Sequence, residues 1–131
     1  ELGLGNQLKV LGYVSDEDLS ALYQKARAFV YPSLYEGFGL QCLEAMAQGC
    51  PVIASNRTSL PEVLNNSAAL FDPENKNNLA LLFDKLMTND DFHQALKAHS
   101  GLRAQDFSWE QTAKKTFAFY EKIIKMGSPS C

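Results

Sequence analysis

The sequence predicts an α/β domain, a parallel sheet with helices on both faces. Three observations lead there. Short apolar runs alternate with amphipathic stretches over the first half of the chain. The runs Ala28-Phe29-Val30-Tyr31 and Pro51-Val52-Ile53-Ala54-Ser55 are continuously apolar up to their last residue, as strands covered on both faces are. The strand–helix–strand order needs crossover connections, which set neighbouring strands parallel.

The elements follow in order. Leu8–Val14 carries β-type residues and ends at a polar turn, which predicts a strand. Ser15-Asp16-Glu17-Asp18 then opens a helix, with Ser15 as N-cap, Asp18 at the capping-box position and acids at the positive helix end. Leu19, Leu22, Tyr23 and Ala26 form its apolar face. Ala28–Tyr31 is a buried strand stopped by Pro32. Leu40 to Gln48 reads as a helix closed by Gly49 and Pro51, and Pro51–Ser55 as the next buried strand. Ser59-Leu60-Pro61-Glu62 predicts a short capped helix, and Ala68–Phe71 a further strand. Beyond Asp72-Pro73 the pattern is helical. Leu79, Leu82, Phe83, Leu86 and Met87 share one apolar face, and Phe92, Ala95, Leu96 and His99 sit on a second helix. Ser108-Trp109-Glu110-Gln111 is another capping box, opening a helix with Ala113, Phe117, Tyr120 and Ile124 turned inward. The reading is one domain over residues 1–126, with a disordered tail over 127–131.

Composition narrows the function classes. The 131 residues are 46% hydrophobic and 21% charged, enough for one domain with a real core. A net charge of −3 without basic clusters argues against a nucleic-acid partner. Cys42, Cys50 and Cys131 are odd in number and lack Cys-x-x-Cys spacing, which points to reduced cytoplasmic thiols and to no zinc site. No apolar run reaches the ~20 residues that span a bilayer. Glu1–Gly5 lacks the basic start and apolar core of a signal peptide.

Ligands of parallel sheets bind beyond the carboxyl ends of the strands, so the segments to watch are Val14–Asp18, Pro32–Gly39 and Ser55–Ser59. The loop Tyr31-Pro32-Ser33-Leu34-Tyr35-Glu36-Gly37-Phe38-Gly39 joins a strand to a helix at that edge. Gly37 and Gly39 allow close backbone approach to a ligand. The N–H groups of the following helix start point to the same place, which suits a phosphate. A carboxylate beside an anion site, Glu36, makes sense as an acceptor for sugar hydroxyls. Glu44 lies one turn inside the helix, on the side of Leu40, and can reach a second set of hydroxyls. Acids near a helix start are also what the helix dipole favours on a bare surface.

Glu36 and Glu44, set in Tyr-Glu-Gly-Phe-Gly-Leu and followed by Glu-Ala-Met-Ala-x-Gly-x-Pro-Val-Ile-Ala-Ser, resemble the carboxy-terminal domain of retaining glycosyltransferases of the family 4 type (glycosyl transferases group 1). The resemblance runs from about Leu8 to Ile124 and takes in Leu11-Gly12-Tyr13-Val14 and Phe107-Ser108-Trp109-Glu110. It implies a GT-B enzyme, in which two Rossmann-like domains face a cleft. Here Glu36 would contact the donor sugar as the catalytic-site carboxylate. The backbone of Gly37, Phe38, Gly39, Leu40 and Gln41 would hold sugar and diphosphate. Glu44 would bind the ribose, and Val14, Ser15 and Asp16 would lie against the base. The resemblance implies no metal or cofactor, since the helix start and basic side chains neutralise the diphosphate. It implies a nucleoside-diphosphate sugar as donor, a hexosyl group such as mannosyl or glucosyl, and a saccharide or lipid-linked acceptor. Retention is ascribed to front-face attack, assisted by the leaving phosphate.

An Arg–Lys clamp for the diphosphate and an amino-terminal acceptor domain are also implied, both expected upstream of Glu1. The chain by itself is therefore expected to bind donor weakly and not to catalyse. Arg27 and Arg57 do not match the clamp. A non-catalytic nucleotide-sugar-binding module is the alternative, and a GT-B epimerase or phosphorylase a further one. The resemblance implies work on polysaccharides or glycolipids, with peripheral association at the inner membrane face. Away from the loop, His93 and His99 read as surface or boundary residues. Trp109, Phe117 and Tyr120 read as core or domain contacts, Cys42 as a packed thiol, and Asp84, Asp90 and Asp91 as solvated charges.

Overall fold

The computed structural model describes residues 3–127. Its centre is a parallel sheet of three strands in the order β1 (Phe29–Tyr31), β2 (Val52–Ser55), β3 (Leu70–Phe71). Phe29 stands opposite Val52, and Ala54 opposite Leu70. Around it lie α1 (Asp16–Lys25), α2 (Leu40–Ala47), α3 (Leu60–Leu64), α4 (Lys76–Thr88), α5 (Asp90–Ala104) and α6 (Trp109–Met126). The expected α/β class, a Rossmann-like parallel sheet with helices around it and a helical end, is what the chain forms. Of the tail expected to be disordered, residues 128–131 lie outside the described residues, as does Cys131.

The core is built on β2, whose residues are all buried. Met46 and Cys42 of α2, Leu60, Val63 and Leu64 of α3, Phe71 of β3, Leu86 of α4 and Leu96 of α5 close over it. Each fully buried aliphatic or Phe side chain of this kind contributes about 1.5–3 kcal/mol of transfer free energy.

Two histidines and two arginines tie the outer helices down. The carbonyls that end a helix lack partners within it. Those of α3 are met from α5: Arg103 donates to Val63 and Glu62, and His99 Nε2 to Leu64 at 2.8 Å. Arg27 donates to the Leu86 carbonyl of α4 and pairs with Asp90 at 2.8 Å. Its own carbonyl accepts from His93 Nε2 at 2.9 Å. Both histidines face carbonyls, so both carry their proton on Nε2. His93 is buried rather than at the surface.

Several expectations fail, each for a reason of partnership. Leu8–Val14 is not a strand. A strand exists through a neighbour's N–H and C=O groups, and among the described residues none pairs with this segment. Val10 and Tyr13 are 90% and 94% exposed. For the same reason β1 is a sheet edge, and its residues are half-buried rather than enclosed. On α1, Tyr23 is buried and Leu19 partly so, while Leu22 and Ala26 face solvent. On α4, Phe83 and Met87 are exposed, because the stripe that meets the core is Leu79, Leu82 and Leu86. On α5 the buried residues are His93, Leu96 and Ser100. No residue of α6 is buried, so Ala113, Phe117, Tyr120 and Ile124 are not inward and Trp109 is not core. The helix still starts as expected: Ser108 Oγ accepts from the Gln111 N–H.

Candidate functional site

The loop between β1 and α2 is shaped by hydroxyl groups from the neighbouring β2–α3 segment. Ser55, the last residue of β2, donates from Oγ to the Ser33 carbonyl. Thr58 Oγ accepts from the Glu36 N–H at 3.1 Å. Ser59 Oγ lies 3.2 Å from the Glu36 carbonyl and 3.0 Å from that of Phe38. Ser59 was expected to cap α3. It makes no side-chain cap there and holds the loop instead. Thr58 sits at φ +48°, in the left-handed region, a strained setting for a β-branched residue. The segments 33–39 and 55–59 thus form one unit at the carboxyl edge of the sheet.

The loop ends at Gly39, whose φ of +96° only glycine adopts readily. A Cβ there would come 2.7 Å from Leu60 Cδ2. This turn sends the chain into α2 with no side-chain cap and no acid in the first turn. The other helices of similar or greater length are capped by Ser15, Asn75, Asn89 and Ser108. The N–H groups of Leu40 and Gln41 therefore open a helix whose positive end is left uncompensated. Gly37 has no positive φ and no neighbour that a Cβ would meet.

Glu36 does not point freely into solvent. The Tyr31 hydroxyl donates to its Oε1 at 2.6 Å, and the Gln41 side-chain oxygen lies 3.4 Å from the same hydroxyl. The hydrogen bond from Tyr31 is the main cause that holds the Glu36 carboxyl below its usual range. In return, the carboxylate's acceptance of that bond pushes the Tyr31 hydroxyl up to about 12. Tyr31 stacks on Phe29 with ring centroids 5.7 Å apart.

Glu44 is exposed on α2 and faces a different hollow. It lines a groove of about 320 Å³ with Phe38, Leu40, Leu43, Phe107 and Trp109. Phe38 leans edge-on against Phe107 at 5.9 Å, and Arg103 lies over the Phe107 ring. Glu36 is not among the walls, because its side chain folds back onto Tyr31. Val14 lines a third hollow with Leu11, Tyr13, Asp18 and Lys25, apart from both acids. Ser15 Oγ is engaged in capping α1, accepting from the Asp18 N–H at 3.2 Å, and Asp16 is exposed at the start of that helix. Cys42 is fully buried, and burial pushes its thiol up to about 12, with the Glu36 charge adding to the shift. Arg57 pairs with Asp72 and Glu74, each at 2.9 Å, so neither it nor Arg27 is a spare cation at the loop.

The whole chain, beyond this loop, resembles proteins of known class. The sequence profile described as glycosyl transferases group 1 matches residues 1–101. The chain belongs to this family. Within it, the domain is 43% identical over 116 residues to the O-antigen chain mannosyltransferase B of Escherichia coli, covering 88% of this chain and 30% of that protein. It is 38% identical over 128 residues to the MMP alpha-(1->4)-mannosyltransferase of Mycolicibacterium hassiacum, covering 95% and 31%. Among solved structures it superposes on the sucrose-phosphate synthase of Thermosynechococcus elongatus with a TM-score of 0.81 and 31% identity, covering 95% of this chain and 32% of that one. The glycosyltransferase domain thus spans under a third of the length of these relatives. Among the described residues, no helix is long and apolar enough to cross a membrane.

Sequence reasoning flagged Glu36, both glycines and Glu44, but missed Tyr31, Thr58 and the loop-holding role of Ser59. A hydroxyl at the carboxyl end of each of two adjacent strands, Tyr31 and Ser55, was the available signal.

Proposed function

We propose that this glycosyltransferase domain is the donor-binding portion of a longer retaining hexosyltransferase. That enzyme would move a hexosyl group, such as mannosyl, from a nucleoside-diphosphate sugar to a saccharide or lipid-linked acceptor. One observation carries the reading: α2 begins uncapped at Gly39, next to a carboxylate that is anchored but not neutralised. The helix start suits the diphosphate, whose negative charge grows as the glycosidic bond breaks, so the same N–H groups bind more tightly in the transition state. Glu36 keeps an oxygen free for donor sugar hydroxyls. Glu44 would take the ribose hydroxyls from the wall of its groove, and the backbone at Val14–Asp16 the base. The chemistry needs no metal or cofactor in this domain.

The mannosyltransferase names of the relatives favour a mannosyl donor and assembly of a polysaccharide. The diphosphate-clamping cations would come from the first βα unit of this same domain and acceptor binding from an amino-terminal domain, both elsewhere in the longer chain, which would work at the cytoplasmic side, peripheral to the inner membrane. The alternative, a non-catalytic module that binds nucleotide sugar, predicts binding without turnover. The test is Glu36→Ala in the longer chain. We expect transferase activity to fall at least about a hundredfold, on the scale of losing one group that contacts the transition state. Unchanged activity would sink the assignment.

A further inference from the structure

We propose that Tyr31 is a positioning residue of the donor-sugar site, fixing the Glu36 carboxylate so that one oxygen alone is offered to the sugar. The inference rests on the donor-binding reading above. Glu36 sits in a loop, on a side chain with three rotatable bonds, and an exposed carboxylate there would sample many orientations. The structure gives it one. The Tyr31 hydroxyl, on β1, donates to Oε1 at 2.6 Å, a charge-assisted bond of the strong, short kind. The Glu36 backbone is fixed independently, since its N–H donates to Thr58 and its carbonyl accepts from Ser59. Tyr31 itself is held by its strand pairing with Ala54 and by stacking on Phe29. A group anchored at backbone and at one oxygen has its remaining oxygen aimed by the sheet. Gln41 belongs to the same arrangement, with its amide beside the Tyr31 hydroxyl and its N–H at the helix start. Sugar-hydroxyl and phosphate contacts are thereby set in a common frame.

The test uses the longer chain that carries this domain. UDP-, GDP- and ADP-linked glucose and mannose are screened by calorimetry and turnover, and the tightest donor is compared with its free nucleoside diphosphate. Tyr31→Phe keeps the ring, the stacking and the strand. It is expected to raise donor KM about tenfold, the lower end for a hydrogen bond to a charged group. The expected change in kcat is less than threefold, and affinity for the free diphosphate is unchanged. In a Glu36→Ala background the same substitution should add less than twofold, because Tyr31 acts through Glu36. A donor KM within twofold of the parent for Tyr31→Phe, with Glu36→Ala still damaging, overturns the role of Tyr31 and leaves the donor reading standing. A Tyr31→Phe penalty that persists in full without Glu36 also overturns it. If Glu36→Ala changes nothing, or no donor binds, the donor reading fails and this inference with it.

Discussion

Gly39 and Gly37 look alike in the sequence, and the structure predicts opposite consequences for replacing them. Gly39→Ala places a Cβ on a backbone at φ +96°, which costs an L-residue roughly 1–2 kcal/mol. The new methyl also starts 2.7 Å from Leu60 Cδ2. Leu60 is fully buried between β2 and α2, so it cannot swing away into solvent. Overpacking of this kind costs about 1–3 kcal/mol. Together the loss is about 2–5 kcal/mol, a large part of a small domain's stability. With a urea m-value of about 1–3 kcal/mol per M, the midpoint should fall by at least about 0.7 M, read by circular dichroism. Gly37→Ala meets nothing and needs no unusual φ, so its stability should stay within about 0.5 kcal/mol of the parent. If Gly37 matters, it matters to a ligand, and donor affinity is where the change should show. A Gly39→Ala midpoint indistinguishable from the parent would refute the reasoning from φ and Leu60.

Further outcomes follow from the same geometry. The Tyr31 hydroxyl titrates at about 12 when folded against about 10 when unfolded, so its bond contributes stability in full below about pH 10. That contribution fades as pH rises through about 12; the stability–pH curve of Tyr31→Phe should lack this alkaline limb. Glu36 has a lowered value, so its contribution holds above the unfolded carboxylate range and is lost on acidification, and Glu36→Gln should flatten the acid limb. Cys42 is buried with its thiol pushed up to about 12, so iodoacetamide at about pH 8 should leave its tryptic peptide unmodified in the folded chain and label it in urea.

Much of the fold was legible because its signals are local. The continuous apolar run Val52–Ser55 could only be a covered strand, and it became the centre of the core. Ser15 and Ser108 announced helix starts, and both hydroxyls accept the expected N–H. The loop from Ser33 to Gly39 was marked by its glycines and acids, and it lies at the carboxyl edge of the sheet as the topology requires. Reading failed where an element's fate hangs on a neighbour. The Leu8–Val14 run has strand composition and no strand to pair with among the described residues. The α6 pattern has an apolar face, with Phe117 65% exposed. Amphipathic spacing states which face could be buried, and only packing states whether anything covers it.

Residue types, and the order in which the chain presents them, determined by themselves the α/β class, the family, and the carboxylates and glycines of the loop. Tertiary structure decided what each of them does. It made Gly39 indispensable to the fold and gave Gly37 no such structural need, because only one of them turns left-handed against Leu60. It took Ser59 from helix cap to loop anchor and turned Glu36 back onto Tyr31, contacts that join β1 and the β2–α3 segment to the loop. Spacing along the chain encodes the few neighbours within one helix turn or strand. Hydrogen bonds between groups far apart in sequence exist only once the sheet has brought their backbones together.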